Sequence, residues 1–174
     1  DFKMKLKKEG TVDWSNQPEL EFLWRYEMKA TRDEIWTYLS DTSRFNREMN
    51  FGKRSHIEKD GKVFVTTKMI GFTEQWIELP WTWLAGQTIT STRIYLQGMA
   101  EKVHSVFHID EDKKTNRRIV YLYFGWTPKN AFWNFFLKAT APILQKNFGK
   151  AFTKLDLHYA NLALKNVKAF RSVP

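Results

Sequence analysis

Cysteine is absent from the 174 residues, which removes disulfide scaffolds, thiolate metal sites and cysteine nucleophiles together. The absence fits a reducing compartment, and the expected location is cytoplasmic. No apolar run approaches the ~20 residues that a spanning helix needs. Basic residues dominate Asp1 to Lys8, but no apolar segment follows them, so no secretory signal is read there. Glycine is sparse, eight in all and mostly at turns, and neither a phosphate-cradling loop nor a nucleophile elbow is present. Acids are scarcest toward the end. From Pro128 onward eight Lys and Arg residues stand against the single Asp156, which accounts for most of the net charge of +9. Two readings of that stretch stay open. It is a solvated polar helix face, or a surface for an acidic partner, anionic lipid headgroups or nucleic acid.

Aromatic residues are what the chain has in excess: 16%, with 8 Trp and 14 Phe. So many large flat side chains need a thick core, a lined cavity or an interface. The length suits one domain with one sizeable core.

The patterning predicts α+β structure. Leu20, Phe22, Trp24, Tyr26 and Met28 alternate with Glu21, Arg25 and Glu27, the period of a half-buried antiparallel strand. Thr31-Arg32-Asp33-Glu34 reads as a capping box opening a short helix with Ile35, Trp36 and Leu39 inward. A second short helix is expected over Thr42 to Glu48. Asp60-Gly61 predicts a tight hairpin between strands at about 52–59 and 62–70, because both turn positions need positive φ. Further strands fit 73–79, closed by Pro80, and 88–96, 100–109 and 117–126. Thr127-Pro128 is expected to cap and open a long final helix, with Phe132, Phe136, Ile143, Leu144, Phe148, Phe152, Leu155 and Leu162 near helical spacing. Pro142 lies inside it and predicts a kink or break.

The run from Trp24 through Tyr26, the Thr31-Arg32-Asp33-Glu34-Ile35-Trp36 helix start and the Ser40-Asp41-Thr42-Ser43 restart to Phe45 resembles the START-like superfamily. That superfamily includes polyketide cyclase-like proteins, birch-pollen-allergen relatives and lipid-transfer domains. The resemblance implies a helix-grip fold, a curved antiparallel sheet of about seven strands around a long C-terminal helix, with two short helices after the first strand. The same stretch is similar to the START-like domain found ahead of catalytic domains in some bacterial adenylate cyclases. The division it implies is an N-terminal extension over 1–18, a START-like domain over 19–168, and a tail or linker start over 169–174. A piece cut from a longer polypeptide is expected. The implied function is a binding module for a hydrophobic or lipid-like small molecule, in a sensory or regulatory role beside a fused catalytic domain such as a nucleotide cyclase. The alternatives are a cyclase- or aromatase-type enzyme using the same cavity, or a ligand-free interaction domain.

Candidate ligand-binding residues follow from an aromatic-lined hollow between sheet and helix: Trp24, Tyr26, Trp76, Arg93, Tyr95, Trp126 and Phe136. Arg93 is the polar member; an outward-pointing side chain is the ordinary expectation for it, and an inward one the functional alternative. Glu74, Glu78 and Glu101 are the carboxylates that would pair if the concave face did acid–base work; solvent-facing positions are the other home for Glu. His104 and His108, four apart on a strand, lie roughly 13 Å from each other, too far to share a metal, and read as two partly exposed strand histidines. No catalytic residue, metal site or cofactor is expected of the domain itself. Nucleic acid is not expected as a partner, because the aromatics alternate as core residues and do not interleave with Lys and Arg.

Overall fold

A computed structural model describes residues 18–41, 54–69 and 71–171. The expected helix over Thr42 to Glu48 and nearly all of the N-terminal extension lie outside these residues. Strand β1 (Leu20–Met28) is followed by helix α1 (Arg32–Ser40), and then by β2 (Arg54–Lys59), β3 (Lys62–Met69) and β4 (Phe72–Glu78). The chain continues through β5 (Thr82–Leu84), β6 (Thr88–Gln97), β7 (Ala100–Asp112) and β8 (Arg117–Pro128), and ends in helix α2 (Ala131–Arg171). The strands form one antiparallel sheet in the order β1-β8-β7-β6-β4-β3-β2, with β5 also on β6. It is the α+β helix-grip architecture that the sequence predicts.

Local chemistry explains the elements. Asp60 (φ 52°) and Gly61 (φ 68°) make the hairpin turn between Lys59 and Lys62, as the dipeptide predicts. Where about seven strands are expected, the described residues form eight, and the additional one is β5. Pro80 ends β4, and the chain rejoins the same neighbour further along, Trp83 opposite Ile89. Irregular registers at Gln75/Trp76 and at Ala100/Lys102 bend the sheet, as β-bulges do.

The capping box of α1 is complete: the Glu34 amide donates to Thr31 Oγ1 (3.3 Å) and the Thr31 amide donates to Glu34 Oε2 (2.7 Å). Its buried residues are Ile35, Tyr38 and Leu39; Trp36 is half-buried, its ring edge-on to Trp83.

Helix α2 begins later than expected. Thr127 and Pro128 still belong to β8, opposite Lys102 and Ala100. The residue that opens the helix is Asn130, whose Oδ1 accepts from the Trp133 amide at 3.1 Å. Proline is tolerated at a strand end for the same reason it is tolerated at a helix start: its absent N–H is not needed there. The helix runs through Pro142 without a break. Phe148, Phe152 and Leu155 are buried against Trp24 and Phe124, the core cluster between sheet and helix. Phe132 and Ile143, expected on that face, are instead 64% and 62% exposed, since the helical period carries them to the opposite side. Leu162 lies beyond the described side chains. Asp156 fastens the helix to the end of β1, accepting from the Lys29 (2.9 Å) and Ala30 (3.0 Å) amides. No helix among the described residues is long and apolar enough to cross a membrane.

Candidate ligand-binding site

Sheet register decides which side chains share the face toward α2. Opposite Trp24 stands Leu122, then Phe107 on β7 and Ile89 on β6. One step along, Trp126 faces Val103, Val103 faces Arg93, and Arg93 faces Glu78. Tyr95 faces Trp76, which faces Val65; Glu74 faces Thr67, and Thr67 faces Arg54. All six strand residues proposed from the sequence therefore belong to the inward face, Arg93 included. Sharing a face does not bring them to one place.

Four of them meet. Trp76, Tyr95 and Val103 form a buried cluster against which Trp126 packs, with the Trp76 and Tyr95 ring centroids 5.4 Å apart. The guanidinium of Arg93 lies 5.4 Å from the Trp76 ring centroid, and so does that of Arg54. Trp24 goes elsewhere, into the main core between Phe22, Phe124 and Phe148. Tyr26 sits at the flank of α2, where its hydroxyl donates to the Gln145 carbonyl (2.8 Å) and burial pushes its pKa up to about 12. Phe136 packs at the start of α2 with Trp133, Leu20 and Met99. Trp126 touches all three groups.

Polar groups crowd around the Trp76 cluster. The Glu78 carboxylate accepts from Trp76 Nε1 (3.2 Å) and Trp81 Nε1 (2.7 Å), and lies 3.7 Å from Arg93 Nε. Arg54 is held down to about 10, first by burial and then by the like charge of Arg93. It is still a cation at neutral pH. Burial raises the Tyr95 phenol far above its usual range. Burial also raises Glu74, while the Met99 backbone amide and the Arg93 and Arg54 guanidiniums pull it back. Gly98 makes room for that carboxylate: its φ is +133°, and a Cβ there would lie 3.1 Å from Glu74 Cγ. Glu74 Oε1 and Trp126 Nε1 are among the buried polar atoms of this region that have no hydrogen-bond partner. Further along the inward face, the Ser91 and Ser105 hydroxyls pair at 2.8 Å.

Two guanidiniums and two carboxylates thus balance in formal charge within an aromatic setting. Of the three carboxylates singled out from the sequence, Glu74 and Glu78 are inside and Glu101 is exposed. Arg54 is the residue that sequence reasoning missed. Its strand has weak alternation, Arg-Ser-His-Ile-Glu-Lys, and mostly exposed residues, so no periodic signal marks its inward end. The histidines differ too. His104 Nδ1 pairs with Thr92 (2.6 Å) and His108 Nδ1 with Thr88 (2.8 Å), both on the face away from α2, and His108 is wholly buried where partial exposure was expected.

No protein-family model matches the chain, and no curated protein sequence matches it either. Solved structures do. The Zhui aromatase/cyclase from Streptomyces sp. R1128 is similar at a TM-score of 0.60 with 11% identity, over 76% of this chain and 90% of that one. The di-domain aromatase/cyclase StfQ of the steffimycin biosynthetic pathway gives 0.58 with 12% identity, over 81% of this chain and 51% of that one. Ara h 8.0201 gives 0.53 with 11% identity, over 78% and 98%. These likenesses show the fold, the helix-grip architecture.

Proposed function

We propose that the domain binds a small molecule with a flat apolar body and at least one polar group, held between the inward face of the sheet and α2. The observation that carries this reading is that the buried polar atoms Glu74 Oε1 and Trp126 Nε1 are unpartnered beside the tilted Trp76–Tyr95 ring pair. Folded proteins rarely leave such atoms unpaired, and a ligand's donors and acceptors are one way to satisfy them. Trp76, Arg93, Tyr95 and Trp126 form the proposed floor, with Trp24, Tyr26 and Phe136 bordering it. Glu74, Glu78 and Arg54 join them as polar contacts. The aromatase/cyclase neighbours support an occupant of this general kind.

A second reading has an observation of its own. Glu74 is a buried acid whose pKa is raised by burial, beside two guanidiniums, which suits a group that gives or takes a proton. On that reading the domain is a cyclase- or aromatase-type enzyme. The finer role, a sensory or regulatory unit joined to a signalling enzyme such as a nucleotide cyclase, rests on the resemblance of the first helix region alone.

Native mass spectrometry of the purified domain tests the binding reading directly, through a co-purifying small molecule. An environment-sensitive hydrophobic probe should bind saturably, near one per chain, and quench Trp emission. Arg93→Lys and Glu74→Gln should alter its affinity with the far-ultraviolet circular dichroism unchanged. Probe binding that begins only on partial unfolding overturns the proposal. A bound species that changes chemically with time, and does not in Glu74→Gln, favours the enzyme.

A further inference from the structure

The outer side of α2, away from the core, carries a continuous line of exposed residues at helical spacing. Its first half is apolar: Phe132, Phe135 and Ile143 are 64%, 72% and 62% exposed. Its second half is basic, with Lys146, Lys150 and Lys154 all exposed. The steps between them are three or four residues, or a sum of these, so the six stack along one side of the helix. Leu157, 60% exposed, continues the line. From Phe132 to Leu157 it runs for about 38 Å. Its lower half borders an open groove of about 600 Å³, walled by Tyr26, the three lysines and Leu157.

Among the described residues, no member of this stripe belongs to the buried core clusters. The residues that hold α2 to the sheet, Phe148, Phe152 and Leu155, lie on the opposite face. The charge is also uncompensated within the helix. Asp156, the single acid from Pro128 onward, is turned to the Lys29 and Ala30 amides. Two large exposed Phe rings and an Ile in line with lysines, with no acid among them, make a surface of two chemistries. One half favours a hydrocarbon boundary and the other favours negative charge.

We propose that this face of α2 docks on an anionic lipid bilayer. Phe132, Phe135 and Ile143 enter the boundary between headgroups and acyl chains. The lysine stems lie over the surface, with the ammonium groups among the phosphates and carboxylates. A membrane fits better than a folded acidic protein, because the stripe is long and joins exposed apolar side chains end to end with a run of lysines that has no acid among them, the two chemistries that a headgroup–acyl boundary offers together. Phosphatidylserine is the probe of the charge. The inference stands apart from the interior site and does not depend on what occupies it.

Vesicle flotation decides the matter, comparing phosphatidylcholine alone with phosphatidylcholine containing phosphatidylserine. The domain should float with the mixed vesicles and release as NaCl is raised. Each surface lysine contributes roughly fivefold in affinity, so Lys146→Gln/Lys150→Gln/Lys154→Gln should weaken binding on the order of 100-fold. Phe132→Ser/Phe135→Ser should weaken it as well and leave the salt dependence in place. All these positions are exposed, and circular dichroism checks that the variants fold. Trp83→Ala, at an exposed indole on β5, should change nothing. Equal binding to both kinds of vesicle overturns the proposal, as does loss confined to Trp83→Ala. So does a dimer that the Phe variant splits in sedimentation velocity, which would assign the stripe to a second copy. Oligonucleotide binding abolished by the Lys variant while vesicle binding persists would assign it to nucleic acid.

Discussion

Replacing Glu78 with Ala is the most demanding test of the interior polar cluster. Its carboxylate, with a side chain 10% exposed, serves two indole donors and faces Arg93. Removal leaves Trp76 Nε1 and Trp81 Nε1 without their acceptor, at about 1–3 kcal/mol for each buried donor. It also leaves Arg93, 18% exposed, without its nearest countercharge, and breaking a buried pair from one side costs about 3–5 kcal/mol. These losses overlap, because one relaxation or one entering water relieves several of them. The expected destabilisation is about 3–5 kcal/mol, read from urea denaturation followed by far-ultraviolet circular dichroism. Glu78→Gln keeps an acceptor of similar shape and should cost about 1–2 kcal/mol. Arg93→Met should then be less harmful in the Glu78→Gln background than alone, since the countercharge is already gone. Glu101→Ala, on the exposed face of β7, should stay under about 0.5 kcal/mol. A loss below about 1 kcal/mol for Glu78→Ala, or an Arg93→Met cost equal in both backgrounds, would refute the reasoning.

Trp24→Ala removes a side chain 7% exposed and packed against three Phe rings, and should cost about 3–5 kcal/mol in the same assay. Glu21→Ala, on the other face of β1, should cost about 1–2 kcal/mol because Glu21 accepts from the nearly buried Tyr123 hydroxyl at 2.7 Å; a cost near zero would mean that the hydrogen bond contributes nothing. Gly98→Ala should destabilise by about 1–3 kcal/mol, since φ is +133° and the new Cβ would press on Glu74 and Tyr95; a neutral result in thermal unfolding would contradict that crowding. Glu74 gives a pH signature. Its folded pKa is raised, so between the unfolded and folded values the native state holds more protons, and stability falls as pH rises through that window. The wild-type stability relative to Glu74→Gln should therefore decline from about pH 4 upward and level off above the folded pKa; a flat difference, or a rise, goes against it.

The sequence by itself determined those features whose causes are local. Period-two alternation marked β1, the Thr31–Glu34 spacing marked the start of α1, and Asp60-Gly61 marked a turn that few other dipeptides make. Helical spacing marked α2 but not its phase, because Phe132 and Phe148 are equally apolar and only the sheet beneath selects which one is buried. Thr127-Pro128 misled for a related reason: the pair suits a strand end as well as a helix start, and pairing with Lys102 and Ala100 decided between them. The candidate site was legible as a set of aromatic strand positions on one face. Its grouping was not. Trp24 and Trp76 have the same alternation in sequence, yet one lies against Phe148 and the other within 5.4 Å of two guanidiniums. Strand order made that difference, by placing β4 and β3 beyond β6 and bringing Arg54, distant in sequence, opposite Thr67 and over Trp76. Burial, and with it the raised Glu74 and lowered Arg54, follows from that long-range pairing, because desolvation depends on what the whole fold lays over a group and not on its neighbours in the chain.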